Sequence, residues 1–189
     1  MSAANRSTVA FITGGGSGIG AGLAKAFHAR GAKVVIGGRN LPALEAVAQA
    51  HAGIETVHID VADATSVTRC VDEIAERFPK LNMLVNNAGV QRLLDFNAAP
   101  PSAAEIAEEI DINLKGLIHV TAAFLPLLRR QSAARIIHVS SGLAFVPLAS
   151  APVYSATKAA VHSFALSLRK QLAGTAVLVI ELIPPLVET

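Results

Sequence analysis

The stretch Val9-Ala10-Phe11-Ile12-Thr13-Gly14-Gly15-Gly16-Ser17-Gly18-Ile19-Gly20 decides the fold, because a short apolar strand runs into a glycine-rich turn and the start of a helix. The turn fits the pattern G-x-x-x-G-x-G through Gly14, Gly18 and Gly20. It also fits the looser G-x-G-x-x-A from Gly16 onward. Backbone N–H groups and the positive end of the helix dipole attract an anion at such a turn, and glycine lets the anion approach the main chain. With a second strand about twenty residues further on, the stretch predicts a site for the pyrophosphate of a dinucleotide.

Apolar and helical segments alternate along all 189 residues, with no linker between them. Six segments rich in Val, Ile or Leu predict strands at residues 9–12, 33–38, 54–59, 82–86, 135–140 and 176–182. Helical patterns lie at residues 18–30, 41–51, 64–78, 103–130 and 154–172. The alternation predicts a single α/β domain over residues 1–189, with a Rossmann-like, doubly wound parallel sheet in strand order 3-2-1-4-5-6. Ligands bind such a sheet at the carboxyl ends of strands one and four, where the order reverses.

The composition supports this class and argues against several others. Hydrophobic residues make up 52% of the chain and charged residues 16%, which suits strands covered on both faces. The net charge of +2, with Lys and Arg scattered, gives no reason to expect a nucleic-acid partner. The lone cysteine, Cys70, excludes an internal disulfide and favours a reducing compartment, and the six histidines show no metal-ligand spacing. Because no apolar run approaches the roughly 18 residues needed to cross a bilayer, we expect a cytoplasmic protein without a membrane partner.

The only tyrosine of the chain, Tyr154, is followed four residues later by Lys158. A helix places such positions on one face, and a neighbouring ammonium favours the phenolate, so we expect Lys158 to lower the pKa of Tyr154 from its usual value of about 10. A tyrosine with a lowered pKa exchanges a proton with an alcohol or a carbonyl near neutral pH. Taken without the rest of the chain, the pair is more simply explained by an amphipathic tyrosine on a core helix.

Six ordered motifs, spread over essentially the whole chain, together resemble the short-chain dehydrogenase/reductase family. They are Thr13-Gly14-x-x-x-Gly18-Ile19-Gly20, Asp60-Val61, Asn86-Asn87-Ala88-Gly89, Asn113, Ser141 and Tyr154-x-x-x-Lys158. Six motifs in the order of the family are far more specific than any one of them. The segments 89–92 and 140–147 are similar to a bacterial, DltE-like branch of oxidoreductases. The resemblance implies an NAD(P)-dependent enzyme that interconverts a small-molecule alcohol and a carbonyl.

The resemblance also implies catalytic roles for Tyr154, Lys158, Ser141 and Asn113. Tyr154 would be the general acid or base, and Lys158 would lower its pKa and hold the nicotinamide ribose. Ser141 would polarise the substrate oxygen, while Asn113, at a kink in its helix, would hold a water in a proton relay to Lys158. Ser140 is the competing serine, but side chains alternate across a strand, and the thirteen-residue spacing to Tyr154 selects Ser141.

The glycine-rich turn and the resemblance together indicate a set of cofactor-binding residues. These are Gly14, Gly16, Ser17, Gly18, Ile19, Gly20, Arg39, Asp60, Val61, Asn87, Ala88, Gly89, Tyr154, Lys158, Pro184 and Thr189. Asp60 would accept a hydrogen bond from the adenine amino group, and its alternative is an ordinary turn carboxylate at a strand end. Asn86, beside Asn87, is better explained by turn stabilisation than by direct chemistry.

The end of the second predicted strand, Gly37-Gly38-Arg39-Asn40, bears on the choice of cofactor. Family members that bind NAD place an acidic residue near the position of Gly38, where it accepts from the 2′-hydroxyl of the adenosine ribose. This segment has no carboxylate, and the guanidinium of Arg39 suits bidentate contact with a 2′-phosphate. NADP is therefore the expected cofactor and NAD the second candidate. The alternative for Arg39 is a solvated surface residue.

Towards its end the sequence departs from the family pattern. Pro185 occupies the place of a usual glycine, and the substrate lid and last strand of the family lie beyond Thr189 and are missing from this sequence. Two interpretations follow: an active oxidoreductase, or an inactive or regulatory dinucleotide-binding protein with an open cleft. In the family, helices that match 103–130 and 154–172 form dimers and the last strand forms a second interface, so we expect a homodimer.

Overall fold

The computed structural model describes residues 8–98 and 100–185, which form one six-stranded parallel sheet and its helices. The strands are β1 Val9–Thr13, β2 Lys33–Gly38, β3 Ile54–His58, β4 Met83–Asn86, β5 Ala134–Val139 and β6 Val177–Leu182. Their order across the sheet is β3-β2-β1-β4-β5-β6, which confirms the predicted Rossmann-like topology. Ile12 of β1 lies beside Ile36 of β2 and Val85 of β4, so the carboxyl ends of β1 and β4 are neighbours where the order reverses.

Within the described residues, six α-helices connect or follow the strands. They are α1 Gly18–Ala29, α2 Leu41–Ala50, α3 Ala64–Arg77, α4 Ala103–Ile110, α5 Leu117–Arg129 and α6 Pro152–Gln171. Side-chain caps begin three of them: Asn40 caps α2, Asp63 caps α3, and Ser102 forms a capping box with Glu105 at α4. Apart from the predicted helix 103–130, every predicted boundary agrees with the structure to within two residues.

Alternating side chains of β1 divide the core between the two faces of the sheet. Phe11 belongs to a cluster that includes residues of α3 and α5, and its ring stacks on that of Phe124 with 5.1 Å between centroids. Ala10 and Ile12 belong to a second cluster, which includes residues of α1 and α2. All four residues are fully buried. Burial on both faces explains why the strands read as continuous apolar runs.

The predicted helix 103–130 is interrupted in the structure. It consists of α4, a stretch of π-helix at Asp111–Gly116, and α5. The main chain is crowded here, because a Cβ atom on Gly116 would lie 2.8 Å from the carbonyl oxygen of Val61. Such π-helical turns are rare and often occur at functional sites. The apolar pattern fits a helical period on both sides of the interruption, so it does not reveal the change.

By length and composition, Ala103–Arg129 is also apolar enough to cross a membrane, with a mean hydropathy of 1.2 in its most apolar window. Its inner face packs into the domain instead, since Val120, Phe124 and Leu128 are fully buried. This burial is typical of the core helix of a globular domain, so the stretch gives little support to a membrane span.

Candidate active site

The glycine-rich turn lies between β1 and α1, at the carboxyl edge of the sheet. Gly14 and Gly18 have positive φ angles of 67° and 49°, which other residues rarely adopt. Gly20 packs so closely that an added Cβ atom would lie 2.1 Å from the carbonyl oxygen of Gly14. The shape of the turn therefore requires glycine at these three positions, and Gly20 serves the packing of α1 on the turn.

Side chains at the ends of β1 and β4 hold this turn in place. The Thr13 hydroxyl accepts the backbone N–H groups of Asn87 at 3.0 Å and Ala88 at 3.1 Å. The side-chain amide of Asn87 donates to the carbonyl oxygens of Thr13 at 3.0 Å and Gly14 at 3.2 Å. Asn86 is buried and donates to a hydroxyl of α5 at 2.9 Å, which fits the structural role expected for it. Thr13 begins the motif Thr13-Gly14-x-x-x-Gly18-Ile19-Gly20, but the sequence pattern gives no sign of this bracing role.

Two adjoining cavities, of about 290 and about 390 Å³, form a cleft along the carboxyl ends of the strands. Most predicted site residues line it: Gly14, Gly16, Ser17, Gly18, Ile19, Arg39, Asp60, Val61, Asn87, Ala88, Gly89, Ser141, Tyr154, Lys158 and Pro184. Gly20 and Asn113 are not among the lining residues, and Thr189 lies outside the described residues. The fold therefore brings residues from distant parts of the chain to one cleft.

The start of α1 fits an anionic group in this cleft. Ser17 makes no side-chain capping hydrogen bond, and the first turn of α1 holds no acidic residue, so its backbone amides keep their positive potential. Two glycines that line the cleft pack closely against their neighbours. A Cβ atom on Gly16 would lie 3.2 Å from Ala43, and one on Gly89 would lie 3.2 Å from Asn113 Oδ1. These features suit a bound pyrophosphate.

Arg39 and Asp60 both line the smaller cavity. Arg39 follows β2 and is exposed, and the side chain of its neighbour Asn40 caps α2. Asp60 accepts the backbone N–H of Ala62 through Oδ1 at 3.0 Å. Asp60 therefore does act as a turn carboxylate at a strand end, the alternative considered above. A hydrogen bond between Asp60 and an adenine stays a prediction.

Ser141 and Tyr154 meet just beyond the carboxyl end of β5. A hydrogen bond between the side chain of Ser141 and the phenol of Tyr154 favours the phenolate. Ser140 is buried, and its hydroxyl donates to the carbonyl oxygen of Leu182 on β6 at 3.5 Å. Ser141 is therefore the serine whose side chain acts on the phenol of Tyr154, although Ser140 also lines the larger cavity.

Lys158 lies one turn after Tyr154 on α6 and is only 4% exposed. Its Nζ donates to the carbonyl oxygen of Val139 at 2.8 Å and lies 5.4 Å from the centroid of the Tyr154 ring. Burial lowers the pKa of Lys158 from 10.5 to about 8. The ammonium is therefore mostly charged at neutral pH and loses its charge as the pH rises above about 8.

The acidity of Tyr154 differs from the sequence-based expectation. Its pKa is raised above the ordinary value of 10, with burial as the largest cause. The hydrogen bond with Ser141 lowers this pKa, and the negative charge of Glu109 raises it further. The prediction that Lys158 lowers the pKa of Tyr154 is wrong for this structure, because burial of the phenol raises this pKa and Lys158 is not among the groups that shift it.

Asn113 lies in the π-helical stretch that interrupts the predicted helix. Its side-chain amide exchanges two hydrogen bonds with the main chain of Val90, both 2.8 Å long, and donates to the Thr157 hydroxyl at 3.3 Å. Thr157 in turn donates to the backbone carbonyl of Tyr154 at 2.7 Å. Asn113 thus ties the cleft wall to the helix that carries Tyr154. The water relay from Asn113 to Lys158 stays a prediction. The linking role of Thr157 follows from these hydrogen bonds and from its burial, and no sequence motif indicates it.

The segment after β6 closes one side of the larger cavity with Pro184 and Pro185. The carbonyl oxygen of Pro184 accepts the backbone N–H of Gly142 at 3.4 Å, so the segment rests against the turn that follows Ser141. Pro185 stands where the family pattern has glycine and has no N–H to offer a ligand.

Comparisons with known proteins point to one family. Residues 8–189 match the family model described as short chain dehydrogenase. The chain is also 45% identical over 178 residues to the uncharacterized oxidoreductase DltE of Bacillus subtilis, a match that covers 94% of this chain and 71% of that protein.

Solved structures of the same class share the fold. A short-chain dehydrogenase/reductase from Burkholderia phymatum, in complex with NAD, has a TM-score of 0.87 and 32% identity, over 95% of this chain and 66% of that one. An alcohol dehydrogenase from Thermococcus sibiricus, complexed with 5-hydroxy-NADP, has a TM-score of 0.88 and 29% identity, over 96% of this chain and 77% of that one. By its sequence match and its fold, the chain belongs to the short-chain dehydrogenase family of oxidoreductases.

Proposed function

We propose that the protein uses a nicotinamide dinucleotide to interconvert an alcohol and a carbonyl. The observation that carries this proposal is that Ser141, Tyr154 and Lys158 line one cavity together with the glycine-rich turn. Family membership supports the choice of cofactor, since one similar structure holds NAD and another holds 5-hydroxy-NADP. The turn would hold the pyrophosphate, and the cavity beside Tyr154 would hold the nicotinamide and the substrate.

In this proposal each side chain has one task. The bound dinucleotide supplies or accepts the hydride. Tyr154 gives its proton to the carbonyl oxygen during reduction and takes one from the alcohol during oxidation. Ser141 donates a hydrogen bond to the same oxygen and stabilises the charge that develops there. Lys158, whose ammonium lies 5.4 Å from the centre of the phenol ring, would hold the nicotinamide ribose.

The raised pKa of Tyr154 bears on its protonation state. Burial keeps the phenol in its protonated form at neutral pH. This is the form that donates a proton to the carbonyl oxygen during reduction.

A steady-state assay with a panel of ketones, aldehydes and secondary alcohols tests the proposal through the absorbance of the reduced nicotinamide. Turnover that requires the dinucleotide supports an oxidoreductase. The second candidate is a dinucleotide-binding protein without catalytic activity, which the unusual Pro185 in the cleft wall favours. Binding of the dinucleotide without turnover of any compound in the panel would favour this second candidate.

We further propose that the protein prefers NADP to NAD. Arg39 lines the smaller cavity directly after β2, and the segment Gly38-Arg39-Asn40 contains no carboxylate to accept from a ribose 2′-hydroxyl. A guanidinium can hold a 2′-phosphate through two hydrogen bonds. The charge and position of Arg39 therefore favour the phosphorylated cofactor.

Calorimetric titration should show tighter binding of NADPH than of NADH. Arg39→Ala is expected to weaken NADPH binding by roughly 10- to 100-fold and to leave NADH binding unchanged, because a hydrogen bond to a charged group contributes about 1.5–3 kcal/mol. Arg69→Ala, on an exposed part of α3 outside the cleft, removes the same charge and is the control. Equal affinities for the two cofactors, or tighter NADH binding, would contradict the preference.

We also propose a homodimer built on α4 and α6. An apolar groove of about 340 Å³ lies between these helices and the π-helical stretch, lined by Ile106, Ile110, Leu114, Pro152, Val153, Ala156 and Thr157. Ile110, at the end of α4, is 39% exposed. A two-fold interface would bury the same groove on both chains.

Light scattering at several concentrations should therefore show a dimer. Ile110→Arg is expected to yield a monomer, because it places a charge inside the proposed interface. Leu178→Arg is the matched control, since Leu178 is 54% exposed on the edge strand β6, away from the groove. The proposal would be contradicted if the unaltered protein were a monomer or a tetramer. It would also be contradicted if Leu178→Arg gave a monomer while Ile110→Arg remained a dimer.

A further inference from the structure

Gln91 is a polar residue of the cleft with no task in the proposed reaction. It lines the larger cavity, which Ser141 and Tyr154 also line. It is exposed, and its side-chain amide makes no hydrogen bond within residues 8–98 and 100–185. A primary amide carries two N–H donors and one acceptor oxygen, so this side chain can bind an uncharged oxygen group of a ligand, either as donor or as acceptor.

The other polar side chains around this cavity have internal partners or another task. Asn87 and Ser140 donate from their side chains to main-chain carbonyl oxygens. The side chain of Ser141 bonds to the reactive phenol, and Ser17 lies at the start of α1, where the pyrophosphate would bind. Gln91 is therefore the uncharged polar side chain that remains for a second contact with the substrate.

Hydrogen bonds on both sides hold the main chain at Gln91. The residue before it, Val90, exchanges two hydrogen bonds with the side chain of Asn113, both 2.8 Å long. The residue after it, Arg92, donates its backbone N–H to the buried carboxylate of Glu109 at 3.1 Å. A residue held in this way presents its side chain to a ligand without first ordering its backbone, which lowers the cost of binding.

The larger cavity offers little to a charged substrate. Among the described residues that line it, Lys158 is the only charged one. The ammonium of Lys158 is buried and already donates to the carbonyl oxygen of Val139. Arg92, the cation next to Gln91, pairs with Glu108. A neutral substrate is therefore favoured, because a charged group in the cavity would lose hydration without gaining a free counter-charge.

The size of the cavity limits the distance between the polar groups of a substrate. Its volume is about 390 Å³, and it would also hold the nicotinamide. There is open space directly after Ser141, since a Cβ atom on Gly142 would meet nothing within 4 Å. A substrate oxygen at Gln91 would therefore be only a few atoms away from the carbonyl that Ser141 and Tyr154 bind.

We propose that Gln91 is a specificity-determining residue, whose amide binds a second, uncharged oxygen group of the substrate beside the reacting carbonyl. The substrate class is then a neutral α-hydroxy ketone or α-diketone, and not a plain ketone or a keto acid. This inference rests on the proposed function, because it concerns the substrate of the same cleft. A hydrogen bond between neutral groups gives a preference of roughly 3- to 10-fold.

Pairs of compounds that differ by one hydroxyl test the role of Gln91: hydroxyacetone with acetone, and α-hydroxyacetophenone with acetophenone. The measurement is the ratio of kcat/KM within a pair, at saturating reduced dinucleotide, so the intrinsic reactivity of each compound cancels when variants are compared. We expect this ratio to fall by roughly 3- to 10-fold in Gln91→Leu, because leucine is of similar size and cannot form the hydrogen bond. Gln49→Leu makes the same change at an exposed position of α2 outside both cavities and should keep the ratio.

Three results would overturn the proposal. One is a ratio in Gln91→Leu that equals or exceeds the ratio of the unaltered protein. Another is an equal fall in Gln49→Leu, which would show that the effect does not belong to the cleft. The third is turnover of the plain ketones alone, or of the keto acid pyruvate in preference to hydroxyacetone.

Failure of this proposal is distinguishable from failure of the proposed function. If no compound of the panel is turned over, the proposed function fails, and ligand-detected NMR of the same pairs, with the protein saturated with NADP, decides on Gln91. Weaker binding of the hydroxy ketone to Gln91→Leu than to the unaltered protein, with the plain ketone unaffected, supports the proposal. The absence of such a difference, or of any binding by either compound, overturns it.

Discussion

Replacing Tyr154 with phenylalanine is expected to lower kcat by about 10²–10⁴-fold, the contribution of a well-placed general acid or base. Tyr154→Phe removes only the hydroxyl, which pairs with Ser141 and would carry the transferred proton. The ring stays in place under the ammonium of Lys158, so the packing of α6 should survive. The variant therefore separates proton transfer from the other tasks of the site.

The measurement combines steady-state kinetics with calorimetric titration of the cofactor. Cofactor affinity should stay close to that of the unaltered protein, because the turn that would hold the pyrophosphate is unchanged. A variant that keeps most of its kcat would show that Tyr154 is an ordinary amphipathic residue of a core helix. Loss of both turnover and cofactor binding would instead indicate a disturbed cleft.

The second large effect is expected from Gly20→Ala, compared with Gly22→Ala in the same helix. An added Cβ atom at Gly20 would lie 2.1 Å from the carbonyl oxygen of Gly14 and 2.5 Å from Asn87 Nδ2, so α1 or the turn must move. Such overpacking costs about 1–3 kcal/mol or more. Gly22 is exposed, and an added Cβ atom there meets nothing within 4 Å. Alanine at this position should therefore stabilise the protein by about 0.8–1 kcal/mol.

Thermal unfolding and cofactor titration check this pair of variants. A change of 1 kcal/mol shifts the Tm of a domain of this size by about 2–4 °C, so Gly20→Ala should unfold at clearly lower temperature and Gly22→Ala slightly higher. Gly20→Ala should also weaken cofactor binding, because the displaced atoms belong to the turn and its support. Similar Tm values for Gly20→Ala and the unaltered protein would show that α1 can shift without cost.

Much of the fold could be predicted from short stretches of sequence. Apolar strands and helical patterns follow one another from Val9 to Leu182. Each element can be predicted from the spacing of apolar residues within its own segment. The glycine-rich turn is equally local, because the positive φ angles of Gly14 and Gly18 need only the residue itself. Once these elements alternate, right-handed crossovers leave few topologies, and the predicted strand order is the observed one.

The π-helical stretch around Asn113 could not be predicted, because its residues fit an ordinary helical period. It accompanies close packing between Gly116 and the main chain of Val61, two segments far apart in the sequence. The bracing role of Thr13 is hidden for the same reason, since its partners Asn87 and Ala88 belong to another strand end. Side-chain partners of this kind exist only after the sheet has formed.

The sequence by itself determined which residues carry chemical groups and, through local periodicity, which elements hold them. Tyr154, Lys158 and Ser141 were identifiable because their order and spacing resemble those of a known family. Only the tertiary structure decided how these groups ionise, because a pKa depends on burial and on charges brought in from other segments. Burial raises the pKa of Tyr154, and the charge of Glu109, 45 residues earlier in the chain, raises it further, so the acidity of the site is set by packing that no local pattern records.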